Sequence, residues 1–268
     1  MSTQANRIRV GILGASGYTG AELVRLLVGH PQAEITTLTA DRHAGKPLSE
    51  VFPHLAALAL PDLIRIEDAD WAATDAVYCC LPHGTTQEII AGLPGHLKIV
   101  DISADFRLRD LATYAEWYGH EHRAPALQGE AAYGLTELNR EAVSAARLVA
   151  NPGCYPSTAL LPLIPLIEAG QIEVGEIIID AKSGITGAGR GPKEANLFAE
   201  VSGGIHAYGI AKHRHAPEIE QELSVAAGAP ITVNFTPHLM PMNRGILATI
   251  YVRLANGAAA GDLRATLL

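Results

Sequence analysis

The chain is 268 residues long, with 48% hydrophobic and 18% charged residues, which is enough apolar material for one large domain or two modest ones. Its formal net charge of -8 argues against nucleic acid or a membrane surface as a partner. No apolar run reaches membrane-spanning length, because Pro162 and Pro165 interrupt the most apolar helix pattern. Three cysteines without a CxxC pair predict a reducing compartment, with no disulfide framework and no structural zinc. Because the first seven residues lack the apolar core of a signal peptide, we expect a cytoplasmic location.

The chain opens with the pattern of a nucleotide-binding unit. Residues 7–13 and 34–39 predict strands, and residues 21–27 predict the helix between them. Gly14, Gly17 and Gly20 form a GxxGxxG variant of the dinucleotide fingerprint, which would let the backbone approach a pyrophosphate at the helix N-terminus. Ser16 and Thr19 can add hydroxyl donors to this loop. The alternative is an ordinary tight turn between a strand and a helix.

The residues after the second strand leave the choice of cofactor open. Asp41 lies where an acid could hold a ribose 2′-hydroxyl, which would indicate NAD. Arg42 and Lys46 could instead pair with a 2′-phosphate, which would indicate NADP. All three side chains could also be solvated loop charges.

Two more apolar runs, at residues 76–81 and 98–103, predict the third and fourth strands. Cys79 and Cys80 lie in the first of these runs and are expected only to fill space. Pro82 and His83 follow that strand at a carboxyl end, where ligands of open α/β sheets bind. Arg107 follows the fourth strand as a candidate clamp for a carboxylate or phosphate, or as the partner in a structural ion pair.

The third cysteine, Cys154, lies among residues that dictate backbone shape. Pro152 and Gly153 predict a tight turn, and Pro156 suits the first turn of the apolar helix pattern that follows. Cys154 therefore falls at or just before a helix N-terminus, where the helix dipole favours a thiolate that can attack a carbonyl. The alternative is a small buried cysteine after a turn.

A glycine-rich loop at residues 182–191 follows a strand predicted at 176–181. Such a loop exposes backbone N–H groups that can bind an anion. With Lys182, Arg190 and Lys193 it is the strongest candidate for a local positive cluster. A flexible surface loop is the alternative.

His213, Arg214 and His215 form a second segment suited to an anion. Pro217 and Glu218 are typical of a first helical turn, which predicts that His215 is exposed at a helix start. A histidine there could move a proton at neutral pH. A metal site is a weaker alternative, because the i, i+2 spacing offers no third ligand.

The last part of the chain predicts a mixed or antiparallel sheet. Residues 231–236 and 245–252 predict two of its strands, joined by residues 237–244. Residues 262–268 predict a helix.

Six segments taken together resemble one enzyme family. They are GASGYTGAEL at 14–23, SADFR at 103–107, NPGCYPS at 151–157, SGITGAGR at 183–190, HRHAPEI at 213–219 and PHLMPMNRG at 237–245. In this order they resemble the N-acetyl-gamma-glutamyl-phosphate reductases of arginine biosynthesis, relatives of aspartate-semialdehyde dehydrogenase. The resemblance implies NADPH-dependent reduction of N-acetyl-gamma-glutamyl phosphate to N-acetylglutamate 5-semialdehyde, with release of phosphate.

The resemblance also implies the fold and the assembly. It implies an α/β protein with an NADP-binding Rossmann domain at 1–150 and a second, glyceraldehyde-3-phosphate-dehydrogenase-like α+β domain at 151–268. The second domain would carry the chemistry and the contacts of a homodimer or homotetramer. The family continues past the position of Leu268, so we expect its C-terminal segment to be missing from this chain.

The site residues expected from the motifs and the resemblance fall into three groups. Cys154 is the expected nucleophile, His215 the expected acid and base with His213 as its rival, and Asn151 an expected oxyanion donor. The expected cofactor-binding residues are Gly14, Ser16, Gly17, Tyr18, Thr19, Gly20, Thr39, Arg42, Pro82, Ser183, Gly184 and Asn243. The expected substrate-binding residues are Arg107, Lys182, Tyr208 and Arg214, and no metal is expected.

Two alternatives remain beside this assignment. One is a related reductase that acts on aspartyl phosphate or on a carrier-bound aminoadipyl phosphate. The other is a nucleotide-binding module without catalytic activity.

Overall fold

The computed structural model describes residues 7–268, which divide into two compact units. The first unit runs to Leu111 and includes His120–Asn151, and the second combines Ala112–Gly119 with Pro152–Leu268. The prediction that the N-terminus lacks a signal peptide concerns residues that lie, except for Arg7, outside the described part. Within the described part, no helix is long and apolar enough to cross a membrane.

The first unit is built on a seven-stranded parallel sheet with the strand order β3-β2-β1-β4-β5-β7-β6. Its strands are β1 (Ile8–Leu13), β2 (Ala33–Thr39), β3 (Leu63–Ile64), β4 (Ala76–Cys79), β5 (Lys98–Asp101), β6 (Ala131–Tyr133) and β7 (Leu148–Ala150). Its helices are α1 (Tyr18–Val28), α2 (Thr86–Gly92), α4 (Pro125–Gln128) and α5 (Thr136–Ala145). The predicted opening of strand, glycine loop, helix and strand is confirmed. Because all strands are parallel, their carboxyl ends form one edge, where ligands of such sheets bind.

The second unit combines helices with a four-stranded mixed sheet, as predicted. Its elements are α3 (Leu111–Tyr118, of which Leu111 belongs to the first unit), α6 (Cys154–Glu168), β8 (Ile177–Ser183), α7 (Phe198–Val201), β9 (His206–Ala207), α8 (Ala216–Ala227), β10 (Val233–Leu239), β11 (Ile246–Tyr251) and α9 (Ala260–Leu267). The strand order is β11-β8-β10-β9, with β8 and β10 parallel and the two outer pairs antiparallel. Alternate residues of β8 and β10 are buried, so one face of the sheet packs in the core and the other is open.

Several predicted strand ends were wrong, since β4 ends at Cys79 rather than at Leu81 and β8 continues to Ser183 rather than ending at Ala181. The fourth strand ends at Asp101 rather than at Ser103, because the Asp101 side chain accepts the Ser103 N–H at 3.0 Å and turns the chain. β10 runs through Pro237 to Leu239, although the sequence predicts a joining loop from Pro237. A proline lacks only the N–H donor, and the Pro237 carbonyl still accepts the Tyr208 N–H at 3.0 Å.

The prediction that Pro162 and Pro165 interrupt the apolar helix was also wrong. α6 is 15 residues long and continues past both prolines to Glu168. Each proline removes one hydrogen bond from the helix. Burial of Leu160, Leu163 and Ile167 on one side of α6 outweighs that loss.

Two carboxyl groups, of Asp101 and Asp105, lie fully buried at the carboxyl end of β5. Ser103 and Thr86 connect them, because Ser103 Oγ lies 2.7 Å from Asp101 Oδ2 and 2.8 Å from Thr86 Oγ1, which in turn lies 2.7 Å from Asp105 Oδ2. Three such contacts between oxygen atoms require three protons, and the two hydroxyl groups supply two. The third proton must therefore come from a carboxyl group.

Asp101 is the better place for that proton. The N–H groups of Gly84 and Thr86 already donate to the two oxygen atoms of Asp105, at 2.7 and 3.1 Å. Both oxygen atoms of Asp105 therefore act as acceptors. Burial raises the pKa of Asp101 to about 7, and the charge of Asp105 adds to this effect, whereas hydrogen bonds from Ser103 and the charge of Arg107 oppose it.

We predict that Asp101 makes the protein less stable as the pH rises. A pKa raised in the folded state stabilises the fold at low pH, and this contribution is lost as the pH rises through about 7. Asp101→Asn should remove this dependence and stabilise the protein at pH 8, because the amide can donate to Ser103 permanently. Asp105→Asn should instead lower the free energy of unfolding by about 1–3 kcal/mol. The two N–H groups donate to different oxygen atoms of Asp105, so the amide nitrogen of asparagine would face one of these donors. Urea denaturation between pH 5 and 8 measures both, and equal losses in the two variants would contradict the assignment.

Candidate active site

The glycine loop between β1 and α1 is shaped by two of its three glycines. Gly14 has a positive φ of 76°, and a Cβ atom there would lie 2.6 Å from the carbonyl oxygen of Cys80. A Cβ atom on Gly20 would lie 2.6 Å from the Ala15 Cα atom. Gly17, in contrast, has no neighbour closer than 3.5 Å to such an atom. Packing therefore requires glycine at positions 14 and 20. At position 17 packing does not require glycine, and the missing side chain leaves space in front of α1.

The start of α1 is suited to an anion. Gly17 is the N-cap of the helix, and no acidic residue lies in its first turn, whose N–H groups have no partner within the helix. Tyr18 and Thr19 are exposed there, and Ser16 is half-buried. Thr39 is fully buried and holds the loop instead, because its carbonyl oxygen accepts the Ala15 N–H at 2.9 Å.

The charged residues after β2 differ in their pairing. Asp41 and Arg42 are exposed in a short 3-10 turn at the same sheet edge as the glycine loop. Lys46 forms an ion pair with Glu50 at 2.9 Å. Arg42, in contrast to Lys46, forms no ion pair within residues 7–268. It is therefore the cation available to a phosphate group.

Three other predicted residues lie at or near the carboxyl edge of this sheet. Pro82 and His83 are exposed after β4, and the Ala104 N–H donates to His83 Nδ1 at 2.9 Å. Arg107 is only 6% exposed, and its guanidinium donates to the carbonyl oxygen atoms of Asn151, at 2.8 Å, and Ile102, at 3.1 Å. Arg107 therefore fixes the chain after β7, and its contact with a substrate stays a prediction.

In the second unit, Cys154 is the first residue of α6 and is exposed, as predicted. The other two cysteines are different, because burial raises the pKa of Cys80 to about 12 and that of Cys79 well above its usual value. Neither of those two thiols forms a thiolate at neutral pH.

Tyr155, directly after Cys154, is the centre of a cluster of rings. Its hydroxyl group lies 2.9 Å from that of Tyr208. Its ring packs edge-on against His213, His215 and Phe235, with ring centroids 5.5, 5.8 and 5.2 Å away. Through this ring, both candidate histidines are brought to the start of α6.

The two histidines have different surroundings. His213 Nδ1 accepts the His215 N–H at 3.2 Å, which requires an unprotonated Nδ1 atom. Burial, together with the positive charge of Arg214, lowers the pKa of His213 to about 4. His215 is the N-cap of α8 and is half-buried, so the prediction of an exposed histidine was wrong. Its ring packs against Tyr155 and His213, which removes part of it from solvent.

A buried glutamate joins the two helix starts. Glu218, only 1% exposed, lies in the first turn of α8, three residues after His215. Its Oε1 atom accepts the N–H of Gly153, the N-cap of α6, at 2.8 Å. The N-termini that carry Cys154 and His215 are thus connected by one hydrogen bond.

The end of β8, the loop that follows it and the loop before β11 bring together Ser183, Gly184 and Asn243. Thr186 donates its N–H and its hydroxyl group to the Asn243 carbonyl oxygen, at 3.1 and 2.7 Å. A Cβ atom on Gly184 would lie 2.7 Å from the backbone nitrogen of Arg244, so only glycine allows this approach.

The predicted positive cluster does not form around Lys182. Lys182 forms an ion pair with Asp180, which also lies 3.2 Å from His238 Nδ1. These three residues lie on the open face of the sheet, whereas Ser183 faces the core. Lys182 therefore points away from the ring cluster, and we assign it no substrate contact. Arg214 is also engaged, since it lies over the Tyr118 ring at 5.3 Å from the centroid.

Comparison with known proteins identifies the family. A family model described as semialdehyde dehydrogenase, NAD binding domain, matches residues 9–146, and one described as semialdehyde dehydrogenase, dimerisation domain, matches residues 154–268. The chain belongs to the semialdehyde dehydrogenase family.

Within this family, the resemblance to N-acetyl-gamma-glutamyl-phosphate reductases is confirmed. The chain is 63% identical to the probable chloroplastic enzyme of that name from Oryza sativa subsp. japonica, over 96% of this chain and 62% of the relative. It is 61% identical to the enzyme of that name from Rhodospirillum rubrum, over 98% of this chain and 76% of the relative. The chain thus spans less than two thirds of the plant relative's length.

Solved semialdehyde dehydrogenases share the fold. The Vibrio cholerae aspartate semialdehyde dehydrogenase II complexed with ASA matches with a TM-score of 0.71 at 15% identity, over 98% of this chain and 79% of that chain. The Candida albicans aspartate semialdehyde dehydrogenase with NADP matches with a TM-score of 0.66 at 17% identity, over 98% of this chain and 76% of that chain. The predicted fold class is confirmed.

Sequence reasoning about this member of the semialdehyde dehydrogenase family missed Tyr155 and Glu218. Tyr155 gave a weak signal, as the residue after the candidate nucleophile. Glu218 gave none, because an acid in a first helical turn is ordinary, and its partner Gly153 is 65 residues away. No group of three or more histidine, cysteine or acidic residues between residues 7 and 268 is placed to bind a metal.

Proposed function

We propose that this protein reduces N-acetyl-gamma-glutamyl phosphate to N-acetylglutamate 5-semialdehyde with NADPH, releasing phosphate. The observation that carries the proposal is the exposed thiol of Cys154 at the first position of α6, in a chain 61% identical to a reductase of this name. A helix N-terminus favours a thiolate, and a thiolate displaces phosphate from an acyl phosphate.

The covalent steps follow from this nucleophile. Cys154 Sγ attacks the acyl carbon, the S–C bond forms, the bond from carbon to the phosphate oxygen breaks, and phosphate leaves. NADPH supplies, when bound, the hydride that reduces the thioester carbonyl. Cleavage of the S–C bond then releases the aldehyde and restores the thiolate. Backbone N–H groups in the first turn of α6, with the Asn151 side chain, are the donors to the oxyanion in this proposal.

His215 is the proton carrier in this proposal, and His213 is not. His213 has a pKa of about 4 and its Nδ1 atom is committed to the His215 N–H, so it is neutral and fixed at neutral pH. His215 can give a proton to the oxyanion and take it back as the S–C bond breaks. His213, with Tyr155, then sets the position of the His215 ring.

Dinucleotide binding is assigned to the glycine loop and the residues around it. Gly17 leaves space at the start of α1, whose first turn carries no acid. Arg42 supplies a cation for a 2′-phosphate, which favours NADP over NAD. Ser16, Tyr18, Thr19, Pro82, Ser183, Gly184 and Asn243 complete the proposed cofactor-binding set, with Thr39 supporting the glycine loop. Tyr208, Arg107 and Arg214 remain the proposed substrate residues.

The protein is also proposed to form a homodimer or homotetramer in the cytoplasm. A match to a dimerisation domain supports self-association. Ile178, Leu247 and Tyr251 on the open sheet face are 37%, 65% and 55% exposed, which is apolar surface that a second copy could cover.

The test of the proposed function is phosphate-dependent reduction of NADP with the N-acetylated semialdehyde. Cys154→Ser should lower kcat by about three orders of magnitude or more, because the hydroxyl is not ionised at neutral pH. His215→Asn should lower it about 10²–10⁴-fold and remove a pKa from the pH–rate profile, whereas His213→Asn should leave that profile's shape unchanged. Cys80→Ser is the control. Near-normal turnover of Cys154→Ser, or faster reaction with aspartate semialdehyde, would refute the assignment.

The cofactor assignment predicts a loss that depends on the 2′-phosphate. Arg42→Gln should weaken NADPH binding about tenfold by removing a charge-assisted hydrogen bond, and leave NADH binding unchanged. Lys46→Gln is the matched control, since Lys46 is paired with Glu50. Titration calorimetry with both dinucleotides measures this, and equal effects of the two substitutions would exclude Arg42 as the phosphate ligand.

The proposed interface predicts that charge on the open sheet face breaks the oligomer. Leu247→Asp should reduce the mass measured by light scattering, because a carboxylate would be buried between copies. Val225→Asp, at an equally exposed position in α8, is the control. An unchanged mass for Leu247→Asp would place the interface elsewhere.

A further inference from the structure

We propose that Glu218 is a positioning residue, which aligns the start of the Cys154 helix with the start of the His215 helix. The inference rests on the proposed function, since it concerns the same two side chains. Glu218 lies in the HRHAPEI segment at 213–219, where by its position alone it is an ordinary acid in a first helical turn.

The first argument is the burial of the carboxyl group. Glu218 is 1% exposed, and a glutamate is rarely that buried unless it is held by hydrogen bonds. Its Oε1 atom accepts the Gly153 N–H at 2.8 Å. The cost of burying this group is therefore offset by a bond to the backbone of the proposed nucleophile's own turn.

The second argument is the place of this bond in the chain. On one side it holds the N-cap of α6, one residue before Cys154. On the other side it starts from the third residue of α8, three residues after His215. A small rotation of either helix start would move a reacting group, and misplacement of about 1 Å can cost about a hundredfold in rate.

The third argument is the absence of another cap for α6. The N-cap Gly153 has no side chain to cap α6, and the Ser157 hydroxyl donates to the Gly153 carbonyl oxygen rather than accepting from its N–H. In a capping box, a Glu or Gln at the third helical position accepts the N–H of the N-cap residue, but that position of α6 is Pro156. Glu218 supplies this acceptor from α8 instead, so the Gly153 N–H is not available to an oxyanion.

The chain offers a matched control in Glu222, one turn further along α8. Glu222 is 5% exposed and its Oε1 atom accepts from the Gln221 side chain at 2.7 Å. It lies in the same helix at similar burial but away from the helix start. Changes at Glu222 therefore report the cost of disturbing a buried glutamate alone.

The experiment compares Glu218→Gln and Glu218→Asp with Glu222→Gln and Glu222→Asp. Glutamine keeps an acceptor at the same reach, so Glu218→Gln should retain kcat within about threefold. Aspartate is too short, so Glu218→Asp should lower kcat about tenfold with KM within about twofold, as expected when alignment rather than binding is lost. The Glu222 pair should change neither value. Equal losses in Glu218→Asp and Glu222→Asp, or inactivity of a folded Glu218→Gln, would overturn the proposal.

A second readout does not depend on turnover. Alkylation of Cys154 by iodoacetamide requires only the thiolate, which a fixed helix start stabilises. Glu218→Asp should slow it about threefold at pH 7 and move its midpoint to higher pH, with Glu218→Gln and the Glu222 pair unchanged. If the wild-type protein fails to reduce the acyl phosphate, the proposed function fails while this test still stands. Unchanged alkylation in Glu218→Asp would refute the positioning role.

Discussion

The alignment of the two helix starts in the second unit depends on one hydrogen bond, from the Gly153 N–H to the buried carboxyl group of Glu218. It joins the starts of α6 and α8, which no local signal in either segment would bring together. The apolar sides of the two helices, with Leu160, Leu163, Ile219 and Leu223 buried, supply most of the stabilisation but no exact alignment. A directional bond between two helix ends supplies that alignment, because its length and angle tolerate little movement.

In both units, the proposed chemistry takes place at the N-terminus of a helix. In the first unit, α1 begins after a glycine loop whose shape is set by contacts at Gly14 and Gly20. In the second unit, α6 begins with an exposed cysteine. The N–H groups of a first helical turn and the helix dipole favour negative charge, and the proposed function places a phosphate at the start of α1 and a thiolate at the start of α6.

Burial separates groups that the sequence presents as equals. The chain has three cysteines, and burial raises the pKa of Cys79 and Cys80, whereas Cys154 is exposed. Burial and the positive charge of Arg214 also hold the pKa of His213 at about 4. Likewise, Lys182 is paired with Asp180 and Lys46 with Glu50, whereas Arg42 forms no ion pair within the described residues. Chemical roles are thus assigned by environment rather than by residue type.

The sequence by itself determined the α/β class, the glycine loop, the helix start at Cys154 and the family, because each depends on local spacing or on motifs in fixed order. It failed where distant contacts outweigh local preference, as in α6, which continues past Pro162 and Pro165 because one side is buried, and in β10, which includes Pro237. Only the tertiary structure decided that Lys182 faces away from the ring cluster and that Glu218 binds Gly153. A side chain's partner 65 residues away depends on how helices and strands pack, and periodicity along the chain carries no record of that.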